Sequence, residues 1–401
     1  MRVLILTNLY PPDVLGGYEL LARDVAEGLA RRGHDVGILT TGAGARQGAV
    51  TRTLRLTRPF GQPAGRDRLR HLWSGRHNRA ATRRCLRDGA RPDAALVMSL
   101  RRLGLAPLRA LQERGVPFVV TVNDDWPVVY GAGARPRWRA RVGRFLDEAL
   151  VPARRWRGLR PAATVYLSEA VRRSVREAGV PLGAGSLRPQ GVDLSIFSPR
   201  PFRPMRPEPR LLFVGRLHPS KAPDVALDAL AALRQRGLAA TLALVGEPVS
   251  AAYRDALAQR ARALGVEARV TWTGPVPRER LPAVYRDADA LLFASRLEHE
   301  GQGLTYLEAM ACGLPVVAWP SGGAREFLER HDAARLVSAC SGDAFADGLL
   351  ALHRDPGAQQ ALVTRALGIV TEHASLDAYV RGLEAELLRA AHPGIPPASE
   401  P

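Results

Sequence analysis

Short runs rich in Val, Ile and Leu alternate with longer Ala-, Leu- and Arg-rich stretches of helical period, stop at six prolines between Pro189 and Pro209, and then begin again. Alternation of this kind specifies parallel strands joined by crossover helices, because strands buried on both faces read as continuous apolar runs. Proline lacks the amide donor that a helix or central strand needs, so the proline-rich stretch separates two α/β units. Strands are expected at 3–7, 36–40, 94–98, 118–122 and 164–167, and again at 211–214, 241–245, 269–273, 290–294 and 315–319. The clearest helix is 18–32, stopped by Gly33 as a helix C-terminus should be.

A chain of 401 residues is too long for one ordinary core, which agrees with two domains. The N-terminal apolar run is brief and no small-residue cleavage site follows it, so it reads as a strand rather than a signal peptide. No apolar stretch approaches the roughly 18 to 20 residues that span a bilayer. Three widely spaced cysteines, Cys85, Cys312 and Cys340, form no disulfide framework, and a reducing cytoplasm is the expected location.

The net charge of +18 is unevenly distributed. Residues 1–209 hold 37 Arg against 17 Asp and Glu, which gives +20, and residues 210–401 hold 20 basic against 22 acidic residues, which gives −2. The first half therefore calls for an acidic partner. Of the 57 basic residues 56 are Arg, and the single lysine, Lys221, lies between an expected strand and an expected helix. With Gly215 and Arg216 it makes a turn where side-chain charge adds to free helix N–H groups, a site for anionic oxygens.

In α/β sheets ligands bind outside the carboxyl ends of the strands, and the distinctive residues lie there. Gly16-Gly17 follows the first strand and lets a phosphate or sugar approach the backbone near a helix start. Asn123, Asp124, Asp125 and Trp126 follow the strand 118–122 and offer donors, acceptors and a flat apolar face suited to sugar hydroxyls. After 290–294 come Glu300, Gly301, Gln302, Gly303 and Leu304, then a helix over 304–312 carrying Glu308 and stopped by Gly313. The glycines leave N–H groups open at the helix start, and the two carboxylates can reach hydroxyls of a bound sugar. No Asp-x-Asp or His cluster offers a convincing metal site, so neither metal nor cofactor is expected.

These residues resemble the family 4 glycosyltransferases, which have the GT-B fold, an α/β architecture of two facing Rossmann-like domains with parallel sheets and an interdomain cleft. Glu300 and Glu308 are similar to that family's Glu-x7-Glu element, Gly215-Arg216-Leu217 with Lys221 to its phosphate clamp, and Gly16-Gly17 to its opening. The resemblance implies a retaining, metal-independent transfer of sugar from a nucleotide-diphosphate donor to an acceptor hydroxyl on a glycan, glycolipid or small molecule. It implies that Arg216 and Lys221 hold the diphosphate, Glu308 the ribose, and Glu300 with the backbone of Gly301 to Leu304 the transferred sugar. The chain departs from the family at Asn123, where His is usual, at Gln302, where Phe or a similar residue is usual, and at Ala222, where Gly is usual. The last departure is expected to matter least. A GT-B epimerase or phosphorylase and a non-catalytic basic module are the alternatives.

The implied division is an acceptor-binding domain at 1–192, a proline-rich hinge at 193–209, a donor domain at 210–375, a helix at 376–391 returning to the N-terminal domain, and a disordered tail at 392–401. Nine arginines between Arg66 and Arg91, and arginines interleaved with Trp138, Phe145 and Trp156, could seat the first half on an anionic membrane surface. The same composition could bind phosphates of nucleic acid, which is the less favoured partner.

Overall fold

The computed structural model describes residues 1–42, 47–60, 68–130, 155–296 and 302–392. Glu300, Gly301, Trp138, Phe145 and the tail from 393 lie outside the described residues. The chain divides into two compact units, Met1–Arg188 together with the segment from Tyr379 onward, and Pro189–Ala378.

In the first unit the order is β1 (Arg2–Thr7), α1 (Gly17–Arg31), β2 (Asp35–Thr41), β3 (Val50–Leu54), α2 (Arg68–Asp88), β4 (Ala94–Ser99), α3 (Ala106–Glu113), β5 (Phe118–Val122), β6 (Ala163–Tyr166), α4 (Glu169–Glu177) and β7 (Ser186–Leu187). The second unit continues with β8 (Arg210–Val214), α5 (Pro223–Gln235), β9 (Thr241–Val245), α6 (Ala251–Ala263), β10 (Val270–Gly274), α7 (Leu281–Asp287) and β11 (Ala290–Ala294). It closes with α8 (Thr305–Ala311), β12 (Val316–Trp319), α9 (Gly322–His331), β13 (Arg335–Leu336), α10 (Gly342–Arg354), α11 (Pro356–His373) and the start of α12 (Leu376–Ala391).

Both sheets are parallel, in the orders β3-β2-β1-β4-β5-β6-β7 and β10-β9-β8-β11-β12-β13. The strands that read as apolar runs are the central ones. Every residue of β4, β5 and β11 is buried, as a sheet covered on both faces requires. Three edge strands, β3, β7 and β13, were not expected from the sequence; β3 reads Val-Thr-Arg-Thr-Leu and the other two hold two residues each. An edge strand packs against one neighbour only, so it carries no apolar run to betray it.

The proline-rich stretch is bound tightly within the second unit. Arg203 and Arg206 each reach the fully buried Asp289, and Arg206 and Arg210 reach Asp287. Met205 N–H donates to Gln359 Oε1 at 3.0 Å. In the first unit α12 is held by Glu384, which accepts from Arg32 Nε at 2.7 Å and lies 2.7 Å from His34 Nε2. Val380 packs so closely on α1 that a Cβ at Gly28 would stand 2.8 Å from it.

Candidate functional site

In both sheets the strand order reverses beside the first strand, between β1 and β4 and between β8 and β11. Neighbouring loops run in opposite directions at such a point and leave a crevice at the carboxyl ends. Among the described residues, the expected donor residues of the second unit lie on the loop that leaves β8, just before α8, and in α8 itself.

The β8 loop depends on two glycines. Gly215 has φ +144° and its N–H donates to Val245 O at 2.9 Å. Gly246, at the end of the adjacent β9, has φ +142°, and a Cβ there would lie 1.9 Å from the Gly215 carbonyl oxygen. Only glycine lets these two backbones close on each other. Arg216 is exposed. Beyond it Leu217 N–H donates to Glu247 O at 2.8 Å, which carries the chain into a single 3-10 turn, Pro219–Lys221. His218 caps the turn, its Nδ1 accepting from Ser220 N–H at 3.1 Å. Lys221 is half-buried at the end of the turn. Burial, followed by the neighbouring charge of Arg216, pushes its ammonium pKa from 10.5 down to about 8.

Arg296, two residues past β11, joins the loops that leave β8 and β11. Its N–H donates to Ser220 O at 2.8 Å and its guanidinium grips both oxygens of Asp224 at 2.9 and 2.7 Å. The Lys221 turn is thereby fixed from the β11 side. Gln302 is 2% exposed and its Oε1 accepts from Gln190 N–H at 2.7 Å. Gly303 takes φ +80°, Leu304 stands just before α8, and Glu308 N–H donates back to Leu304 O at 2.9 Å. Glu308 is 6% exposed, and Tyr285 Oη donates to its Oε2 at 2.8 Å. Burial, with the carboxylate beside it, pushes the Tyr285 phenol well above its ordinary pKa. Sequence reasoning missed Tyr285 and Gly246. The signal for Gly246 was present, since Val245-Gly246 ends its strand as Val214-Gly215 does; for Tyr285, three residues past a proline in an unremarked helix, there was none.

The remaining expected residues lie in the first unit. Gly16 is exposed and extended, and its N–H donates to Glu19 Oε2 at 2.9 Å, which fixes the start of α1 at Gly17. Asn123 is 5% exposed and its side chain lies 3.5 Å from Tyr379 Oη of α12. Asp124 Oδ1 accepts from Trp126 N–H at 2.8 Å, and Arg101 lies 3.2 Å from its Oδ2. Burial raises the Asp124 pKa against the opposing pull of Arg101. Two aromatic expectations are corrected. Trp126 is fully buried, donates its indole N–H to Thr121 O at 3.1 Å and packs 5.7 Å from Trp156, so it offers no flat face to a sugar. Trp156, 2% exposed, belongs to the same core and cannot be a surface anchor.

Among the described residues no group of three or more His, Cys, Asp or Glu side chains is placed to hold a metal ion. The Asp287-Ala288-Asp289 sequence is taken up by Arg203, Arg206 and Arg210. No helix among the described residues is long and apolar enough to cross a membrane.

Residues 15–196 match the family described as Glycosyltransferase Family 4, and residues 208–355 match Glycosyl transferases group 1. A GDP-mannose-dependent alpha-(1-6)-phosphatidylinositol monomannoside mannosyltransferase of Mycolicibacterium smegmatis is 32% identical over 268 residues, 63% of this chain and 68% of that protein. The chain belongs to glycosyltransferase family 4. It is a glycosyltransferase of the GT-B fold. A second member, a D-inositol 3-phosphate glycosyltransferase of Actinosynnema mirum, is 39% identical over 193 residues, which is 45% of this chain and 46% of that protein, so the match spans under half its length. Among solved structures, HepE of Anabaena in complex with UDP and glucose superposes with a TM-score of 0.68 at 19% identity, covering 97% of this chain and 99% of that one. A glycosyltransferase from Rickettsia africae gives 0.72 at 16% identity, covering 98% of each chain.

Of the three departures from the family 4 pattern, Ala222 has a visible consequence that was not expected. It sits in the left-handed region at φ +53°, ψ +46°, fully buried, as the residue before α5. That conformation costs a non-glycine residue roughly 1–2 kcal/mol.

Proposed function

We propose that this glycosyltransferase takes its sugar from a nucleoside-diphosphate donor, retains the anomeric configuration and needs no divalent metal. The reading rests above all on Lys221, a half-buried ammonium next to a second cation on the loop that leaves β8 at the switch point. Burial and Arg216 both disfavour its charged form, and the negative charge of an entering diphosphate would outweigh both effects. As the bond from the anomeric carbon to the donor phosphate breaks, negative charge grows on the leaving oxygen, and Lys221 with Arg216 would stabilise it. Glu308, oriented by Tyr285, would accept hydroxyls of the nucleotide ribose. Glu300 and the backbone of Gly301 to Leu304 would hold the transferred sugar. Glu300 then binds rather than attacks, and the leaving phosphate takes the acceptor's proton on the face from which it departs. The activities of the relatives support a nucleotide-sugar donor and a phosphate-bearing acceptor, which suits the cationic first half. The test is transfer from UDP- and GDP-sugars, with and without EDTA, the anomer of the product being read by NMR. Absence of transfer and of thermal stabilisation with every nucleotide sugar, an inverted product, or activity abolished by EDTA would each sink the corresponding part.

A second element of the reading concerns location. On α2 Leu69 and Trp73, four residues apart on one face, are 68% and 69% exposed. Arg70, Arg76, Arg83, Arg84 and Arg87 are exposed on the same helix. An exposed Trp-Leu pair among arginines suits the headgroup region of an anionic bilayer, where the indole and the leucine side chain enter the interface and the guanidinium groups meet phosphate. Binding to vesicles containing phosphatidylglycerol, weakened by salt and by Trp73→Ala with Leu69→Ala, is the expected result. Equal recovery with neutral phosphatidylcholine vesicles, or no effect of the double substitution, would exclude it.

A further inference from the structure

Gln302 stands where family 4 usually has an aromatic residue, and its surroundings in the second unit are polar in a way an aromatic ring could not use. Its Oε1 receives Gln190 N–H at 2.7 Å, both residues being buried. Gln190 opens the segment in which Val192 N–H donates to Ala374 O and Leu376 N–H to Val192 O, each at 2.8 Å. The next residue, Gly191, packs so tightly that a Cβ would lie 2.3 Å from Ser375 O. These two paired segments, 190–192 and 374–376, are those by which the chain enters and leaves the unit, whose bounds are Pro189 and Ala378. On the other side of Gln302 follow Gly303, Leu304 and α8 with Glu308.

Two buried polar atoms at this point have no hydrogen-bond partner among the described residues, Gln302 Nε2 and Tyr306 Oη. Burial drives the Tyr306 phenol far up in pKa, and the neighbouring Gln302 side chain opposes that push.

We infer that Gln302 is a positioning residue for transfer: its bond to Gln190 links the backbone that begins α8, on the donor side of the site, to the paired segments 190–192 and 374–376. Leucine at 302 fills similar volume but severs that link, and the register of the Gly303–Leu304 backbone is then set by packing alone. The inference rests on the donor reading above. It goes beyond that reading by separating nucleotide binding, which Lys221 and Glu308 are assigned, from orientation of the transferred sugar.

The experiment compares wild type, Gln302→Leu and Gln302→Glu for kcat, donor KM, nucleoside-diphosphate affinity and melting temperature. Glutamate keeps an accepting oxygen for Gln190 in either protonation state and loses the unpartnered amide donor. The expected result is a fall in kcat of about tenfold or more in Gln302→Leu, with donor KM and nucleotide affinity within about twofold of wild type, and substantial recovery of kcat in Gln302→Glu. Wild-type kcat in Gln302→Leu, a loss of nucleotide affinity equal to the loss of kcat, or no recovery in Gln302→Glu would each overturn it. Failure of the wild type itself to transfer from any nucleotide sugar would instead remove the donor reading.

Discussion

Tyr285 and Glu308 form a buried hydrogen-bonded pair, phenol to carboxylate at 2.8 Å, that no spacing in the sequence announces because α7 brings the tyrosine to α8 across 23 residues. A bond to a charged acceptor in a buried site contributes about 1.5–3 kcal/mol. Tyr285→Phe removes the donor while keeping the ring, and is expected to raise donor KM about tenfold and lower the melting temperature. An unchanged KM would show that Glu308 does not need this orientation to serve the donor.

If Lys221 holds the donor diphosphate as proposed, donor binding is expected to depend on pH. Its pKa in the empty protein is about 8, against 10.5 as the ordinary value. Between these the unfolded chain binds more protons than the folded one, so the lysine's contribution to the stability of the empty protein rises with pH across that window. A bound diphosphate lifts the pKa again, so donor affinity stays level below pH 8 and falls, by up to about tenfold per pH unit, above it. In Lys221→Arg the guanidinium keeps its proton and the slope vanishes, while kcat remains below wild type because a planar fork does not replace a compact ammonium. A persisting slope in Lys221→Arg, read from donor KM between pH 7 and 9.5, would assign the titration elsewhere.

Gly246 and Gly237 allow a clean contrast. Both have positive φ, but a Cβ meets Gly215 O at 1.9 Å in the first case and nothing within 4 Å in the second. Gly237→Ala is expected to cost only backbone strain, about 1–2 kcal/mol, with donor KM intact. Gly246→Ala is expected to displace the β8 loop and abolish donor binding. Equal effects of the two on donor KM would mean that the close approach of β8 and β9 does not shape the site.

Ala222→Gly relieves the left-handed strain but adds unfolded-state entropy and removes a buried methyl. The strain is the larger effect, and a gain of up to about 1 kcal/mol in unfolding free energy is expected, measured by denaturant titration. A net loss of stability would show that the methyl's packing outweighs the strain.

Glu384 ties α12 to Arg32 and His34. Burial raises its pKa, but the bonds from His34 and Arg32 outweigh burial and hold the carboxyl below its ordinary range. A depressed carboxyl stabilises the fold above its unfolded pKa and ceases to as pH falls through the folded one. Glu384→Gln should therefore lose stability relative to wild type at pH 7, with the difference closing toward pH 3. A difference that stays constant over that range would make the role steric.

The central strands were legible because burial on both faces writes itself as a run of Val, Ile and Leu, and the glycine turns because Gly215 and Gly303 must adopt positive φ. The edge strands β3, β7 and β13 were not, since β3 satisfies its hydrogen bonds on one side with no apolar signature and the other two hold only two residues each. Of the candidate residues, Arg216 and Lys221 could be picked out as cations on a turn just after a strand, and Glu308 as a carboxylate on the helix that follows β11. Trp126 and Trp156 were misread for a physical reason, because an aromatic beside carboxylates or arginines looks the same in sequence whether it faces water or a core.

By itself the sequence determined the two parallel sheets and the glycine turns that follow their strands, because strand burial and turn conformation are local demands met by residue type. Only the tertiary structure decided which partners those residues would meet: Tyr285 for Glu308, Ser220 and Asp224 for Arg296, Gln190 for Gln302. Contacts of this kind join segments distant in the chain, and their energies depend on burial that exists only once the sheets are formed.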